Sequence, residues 1–287
     1  MTFEVGIKEY ANVFGRGRYE DVVGQLSFTD KHEFAEKVRT NSLGVVLGSI
    51  SDERFGYSRI IDATSKDLGG IDLSNTEVGW NIEFDYSDLS GANLSGGRFF
   101  SGKFNTCNLT NADLRNSNFD HAHLQYATLT DTKLEGASFN QTHLGGADCR
   151  DVDFRGVDLR GTKFRSFFVD EKPTDLRGAI LSGTQALHAN FRDAHCEGAD
   201  FLDADLHGAN FWGAKLNKAN FTGANLGRCR FWSAEMNQTN LSRCRNTLSA
   251  DFRFTSIDNT IWQNRFGFER HVRKNLTIPI NNFLTLS

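Results

Sequence analysis

The sequence predicts an all-β chain wound into a solenoid of four-sided coils, on three observations. A bulky apolar residue returns at every fifth position from about Leu68 to Trp262. A small residue stands two places before most of these. Large side chains of one kind tend to recur twenty residues apart.

The five-residue period is clearest from Phe84 to Phe164, through Phe99, Phe104, Phe119, Phe139 and Phe154 with leucines between them. It resumes in a new phase from Leu176 to Leu241, and its small partners there are almost all alanine, from Ala179 to Ala234. A leading phase (Leu68, Leu73, Val78) and a trailing one (Phe252, Ile257, Trp262) flank the two runs. A helix repeats at about 3.6 residues and a strand at about 2, so neither sustains this pattern. A bend every five residues does, with the bulky and the small residue both pointing inward. Each coil then buries its apolar side chains only against its neighbours.

The twenty-residue recurrence gives four sides per coil. Phe99, Phe119 and Phe139 form one expected core column, and Phe191, Phe211 and Phe231 another. Rings stacked in a column gain modestly beyond their burial.

Segments such as Ala112–Asn116 (ADLRN), Ala209–Gly213 (ANFWG) and Ala219–Gly223 (ANFTG) carry a resemblance. They resemble the A(D/N)LXX consensus of pentapeptide-repeat proteins, over roughly two-thirds of the chain. The resemblance implies a right-handed quadrilateral β-helix with tight corners. With stacked backbones about 4.8 Å apart, some nine coils make a rod roughly 40–45 Å long.

Residues 1–65 lack the repeat and are expected to form a small α+β region or a cap, since an open coil end is an unpaired strand edge. Within them, Asp30 reads as the cap of a short helix carrying Phe34 and Val38, and Gly44–Ile50 reads as a strand. The first array is expected over 66–164 and the second over 176–262. Between them, 165–175 breaks the register, because Phe164 and Leu176 are 12 residues apart instead of 10. Pro173 and the charges there suit a surface loop, whereas Phe167 and Phe168 either tuck back on the rod or dock a partner. Topoisomerase-protecting members of the family bear functional loops. Residues 263–287 are expected to cap the last coil, an end that in relatives also makes dimer contacts.

Composition excludes several classes. The 287 residues include 25 Phe and 27 Gly but 2 Pro, and 39% are hydrophobic, enough for a core. A net charge of −4 gives no bulk case for nucleic acid or membrane binding. No apolar run is long enough to span a bilayer. The first twenty residues lack the charged start and apolar stretch of a secretory signal, so the cytoplasm is the default compartment. An effector exported by a non-classical route would share these features.

Candidate chemistry is thin. Five cysteines (Cys107, Cys149, Cys196, Cys229, Cys244) sit at inward positions and follow no metal or redox spacing. His121 and His123 form a pair, with His143 one coil on, but spacing fixes no third ligand. Gly15–Gly17 lacks the strand and helix of a nucleotide loop, and no nucleophile elbow or zinc-protease motif occurs. No catalytic residue, cofactor or metal is therefore expected.

The outward positions say more. Trp212 and Trp232 fall one coil apart on one side, which marks either a partner contact or a patch covered by the C-terminal segment. Arg150, Arg155, Arg160 and Arg165 fall on four successive sides as a belt, either solvated or set for an acidic partner. These features point to a non-enzymatic protein-interaction scaffold. The resemblance leaves two alternatives: a DNA mimic that protects a type II topoisomerase or confers toxin immunity, and an exported effector. A mimic needs acidic stripes, but the column Glu83, Lys103, His123, His143, Lys163 is mixed or basic.

Overall fold

The computed structural model describes residues 2–13, 16–39, 57–77, 82–166 and 171–261. Phe167, Phe168, Gly44–Ile50, Val78, Trp262 and the expected cap at 263–287 lie outside the described residues.

The repeat builds a coil. Parallel bridges join residues twenty apart on four sides in turn: Glu83 to Lys103, Asp88 to Asn108, Asn93 to Asp113, and Arg98 to Asn118. The inward residues that follow these, Phe84, Leu89, Leu94 and Phe99, name the first, second, third and fourth sides. At each corner the chain closes a tight turn, as where the Ala92 N–H donates to the Leu89 carbonyl at 3.0 Å. The third residue of each such turn has positive φ, 64° at Gly91 and 57° at Asn116. Glycine, asparagine and aspartate tolerate that geometry, which explains their recurrence two places after the inward residue.

Both inward positions are buried along the body of the stack, with Lys66, Cys244 and Ile257 partly buried near its ends, and every Phe from Phe84 to Phe252 at the fifth-residue spacing is shielded from water. Phe99, Phe119, Phe139, Phe191, Phe211 and Phe231 are all fully buried, as their columns require. Where the small position is polar, the side chain finds a carbonyl. Thr142, Thr162 and Thr239 donate to the inward residue of the previous coil at 2.6–2.8 Å, and Cys107 and Cys229 make the same contact through sulfur.

Three register shifts punctuate the stack. Glu77 pairs with Arg98 and Arg230 with Asp251, each 21 residues on, so one residue is added to a coil near either end. The later addition falls by a short 3-10 turn, Thr247–Ser249. The central break is larger. Asp148 pairs with Asp175 and Lys163 with Asn190, 27 residues on, so seven extra residues are inserted at one corner while all four sides continue.

The N-terminal region joins the solenoid through its sheet. Strands β1 (Phe3–Val13) and β2 (Arg16–Phe28) pair antiparallel. Strand β3 (Tyr57–Asp62) pairs antiparallel with β1 and parallel with β4 (Ile82–Glu83), which leads into the first side. Helix α1 (Lys31–Arg39) is capped by Asp30, whose carboxylate accepts from the N–H groups of His32 and Glu33. Phe34 on α1 is buried between Phe3 and Phe28. Lys31 and Arg39 reach Asp67 and Asp72 on the first coil. The β1–β2 hairpin has no counterpart in the sequence reading, because its long strands lack a strong turn signal.

Candidate interaction face

The outward aromatic residues are not spread evenly. Among the described coils they are Tyr86, Phe100, Tyr126, Trp212, Trp232 and Phe254, and all but Phe100 lie on the first side. Tyr86, Tyr126 and Phe254 occupy turn positions with φ of 58–61°. A bulky side chain held there costs roughly 1–2 kcal/mol relative to glycine. That cost is borne three times on one side.

Trp212 and Trp232 stack with centroids 4.8 Å apart and planes 16° from parallel. The Arg192 guanidinium covers the far face of Trp212 at 4.3 Å, and Phe254 lies 5.8 Å from Trp232 on the other side. Arg253 also approaches Trp232, at 5.0 Å. The ring faces are thus used within the ladder, which presents a rigid ridge of edges. Trp212 is 36% exposed and Phe254 53%.

Above this ladder, on the same side, lies the seven-residue insertion, and its two ends are tied together. Ser166 Oγ donates to the Lys172 carbonyl at 2.6 Å, and Thr174 Oγ1 to the Leu144 carbonyl at 2.9 Å. Gly145 and Gly146 make room for it. A Cβ on Gly145 would sit 2.5 Å from the Arg165 carbonyl oxygen, and one on Gly146 2.4 Å from the Tyr126 ring. Burial and a hydrogen bond to Glu171 push the Tyr126 hydroxyl up to about 12.

The inner column of the same side is basic and half-buried. The His123 and His143 rings lie 4.9 Å apart, and Lys163 Nζ is 2.7 Å from His143 Nε2. Burial first, then the Lys163 charge and the neighbouring histidines, holds His143 down at about 4, so it is neutral at pH 7. Glu83 pairs with Lys103 at the top of the column.

Two family models match this stretch of stacked coils: a pentapeptide repeat region over residues 102–171, and pentapeptide repeats over 174–208 and 204–243. The repeat region belongs to the pentapeptide-repeat family. Among solved structures it is similar to HetL, a pentapeptide-repeat protein involved in heterocyst differentiation regulation from the cyanobacterium Nostoc sp. strain PCC 7120. The two are 25% identical with a TM-score of 0.66, over 70% of this chain and 86% of HetL. A trypsin-treated form of QnrB1, a plasmid-mediated fluoroquinolone resistance protein, matches at 16% identity and a TM-score of 0.31, over 77% of this chain and 99% of that one. Comparison with curated protein sequences gives no match.

Within the pentapeptide-repeat array the other candidate residues fall as follows. Arg150, Arg155 and Arg160 do lie on successive sides, but each guanidinium forks onto the aspartate two residues before it, Asp148, Asp153 and Asp158. The same Asp-x-Arg fork recurs at Asp113–Arg115, Asp175–Arg177 and Asp251–Arg253. The belt is therefore a row of local ion pairs, a spacing legible in the sequence once the forks are seen. Arg165 lacks this aspartate, since residue 163 is lysine, and it stands on the first side at the loop base. The five cysteines are free thiols, four of them fully buried, and burial pushes Cys244 up to about 12. Among the described residues no group of three potential metal ligands comes together.

Proposed function

We propose that this chain is a non-enzymatic protein-interaction scaffold. A right-handed four-sided β-helix serves as its rigid platform, and the first side is its docking surface. The observation that carries this reading is the gathering of outward aromatic residues on that side, three of them in a backbone conformation that disfavours them. Large aromatic side chains at a surface, held rigid by their neighbours, are the usual anchors of protein contacts. Buried thiols with raised pKa values are poor nucleophiles, which supports a role without catalysis. The likeness to HetL, a protein involved in regulation, points the same way.

The topoisomerase-protecting alternative relies on a DNA-like acidic stripe. The column from Glu83 through Lys103, His123 and His143 to Lys163 is continuous, and its charges are mixed or basic. A supercoiling-protection assay with purified protein distinguishes the two readings. Protection of gyrase would favour the mimic. A pull-down with the intact protein, set against Trp212→Ala/Trp232→Ala, tests the scaffold. The expected outcome is a partner recovered by the wild type and lost from the variant, while equal recovery rejects the aromatic ladder as its contact.

A further inference from the structure

We infer that the lower half of the first side, from Lys163 to Phe254, docks an acidic segment of a partner protein. The inference rests on the scaffold reading above and adds the partner's chemistry. Leaving the loop aside, Lys163, Arg165, Arg192, Arg230 and Arg253 line this stretch against Asp193 and Asp251. Because Arg192 pairs with Asp193 and Arg253 with Asp251, the excess is carried by Lys163, Arg165 and Arg230. The protein as a whole carries a net charge of −4, so the excess is local. The adjoining second side is nearly balanced over the same coils. There Asp175, Glu197, Glu235 and Asp258 stand against Arg177, Lys215 and Lys218, so of these two sides only the first carries an excess of cations. A local basic strip orients an approaching acidic chain and rejects a basic one.

Charge and apolar contact coincide on the strip. Trp212 and Trp232 stand between Arg192 and Arg253, which are paired with Asp193 and Asp251. Arg230 beside Trp232, and the Lys163 and Arg165 pair two coils above Trp212, supply the cations an acidic segment would meet along an apolar ridge. Clusters of Arg and Trp that share a site are the pattern of binding hot spots.

A single-stranded nucleic acid is the other polyanion to weigh. It binds by stacking its bases on aromatic faces. Here the indole faces are taken by Arg192, by the second indole and by Phe254, and the two tryptophans present only ring edges. The geometry favours a polypeptide.

The test uses the full-length protein and fluorescein-labelled poly-glutamate, with poly-lysine and an oligo-dT strand as comparison probes. Poly-glutamate is expected to bind, to weaken as salt is raised, and to lose about tenfold or more in affinity on Arg165→Glu/Arg230→Glu. Trp212→Ala/Trp232→Ala is expected to weaken it as well. Both variants leave the core residues intact, and an unchanged far-ultraviolet circular dichroism spectrum verifies the fold. No binding of poly-glutamate, equal binding by the charge-reversed protein, or stronger binding of oligo-dT overturns the inference. The scaffold reading fails separately. It falls if the intact protein recovers no partner, whereas a partner recovered equally by wild type and Arg165→Glu/Arg230→Glu removes only the acidic-segment inference.

Discussion

In the second array the stacked phenylalanines lie 2–9° from parallel at 4.7–5.0 Å, from Phe164 on Phe191 to Phe231 on Phe252. In the first array the corresponding pairs tilt by 17–27° at 5.0–5.3 Å. The cause is which sides carry the rings. In the second array Phe191, Phe211 and Phe231 fill the first side, and Phe201 and Phe221 fill the third, directly across the coil. Rings of the two columns then meet edge to face at 84–89°, and each column keeps its own parallel stack. In the first array the rings fill adjoining sides, Phe84 and Phe104 on the first and Phe99, Phe119 and Phe139 on the fourth. They adjoin at one corner, where Phe104 meets Phe99 at 90° and Phe119 at 63°. Alanine at every small position from Ala189 to Ala224 leaves room for the regular stack, where the first array has Cys107, Ser117, Thr132 and Thr142. One repeat thus supports two ways of packing the same tube, and the more regular one lies beneath the exposed tryptophan ladder.

The largest test of this comparison is Phe211→Ala. The ring is stacked on Phe191 and Phe231 and meets Phe201 and Phe221 edge on, so its loss opens a cavity at the centre of the regular stack. A destabilisation of about 3–5 kcal/mol is expected in urea unfolding. The sharper form exchanges phenylalanine for leucine, which keeps most of the volume. Phe211→Leu should cost about 0.5–1.5 kcal/mol more than Phe119→Leu, because it gives up better-aligned ring pairs. Equal costs would show that ring alignment contributes nothing beyond burial.

The junction between the arrays comes next. Gly145→Ala places a methyl group against the Arg165 carbonyl, which is backbone and cannot swing aside. A cost of about 1–3 kcal/mol is expected. Faster amide exchange should be confined to Leu144–Gly146 and the Lys172–Thr174 base of the loop. Exchange that rose equally along both arrays would mean that the loop base is not a separate unit.

These junctions mark where the sequence stops being readable. The arrays were legible because each five-residue unit repeats the same local decision: bulky and small residues inward, a turn-tolerant residue two places on. The tryptophan pair followed from that register alone. Loop length did not. A phase change of two is met equally by two added residues or by seven, and only the pairing of Asp148 with Asp175 chooses seven. The arginine belt was placed correctly on its sides, but its charge was overstated, because Asp-x-Arg forks depend on side chains leaning along the strand toward a neighbour two places away. The basic character of the first side was hidden as well. Lys163, Arg165, Arg192, Arg230 and Arg253 come together only when the seven-residue insertion and the later added residue are both removed from the count.

The smallest expected effect is on pH. His143 is held down from its ordinary 6.5 to about 4 by burial, by Lys163 and by the histidines at 123 and 121. Above pH 6.5 the ring is neutral in the folded and unfolded chain alike, so it adds no pH dependence. As pH falls from about 6.5 toward about 4, the unfolded chain takes up a proton that the folded one refuses, and stability declines over that window. The Asp-x-Arg forks act elsewhere. Their carboxylates are held below the ordinary 3.8 at Asp153 and Asp251, chiefly by the arginine hydrogen bonds, so their contribution is present above that value and is lost only at lower pH. In the second array the same column continues as Asn190 and Asn210, which do not titrate. Between pH 7 and 5 the first array should therefore loosen relative to the second, read as faster amide exchange around Ala122–Leu144, and His143→Gln should flatten the difference. If both arrays weaken in parallel and the variant follows the wild type, the stacked histidines have no special cost, and the two arrays differ in their phenylalanines alone.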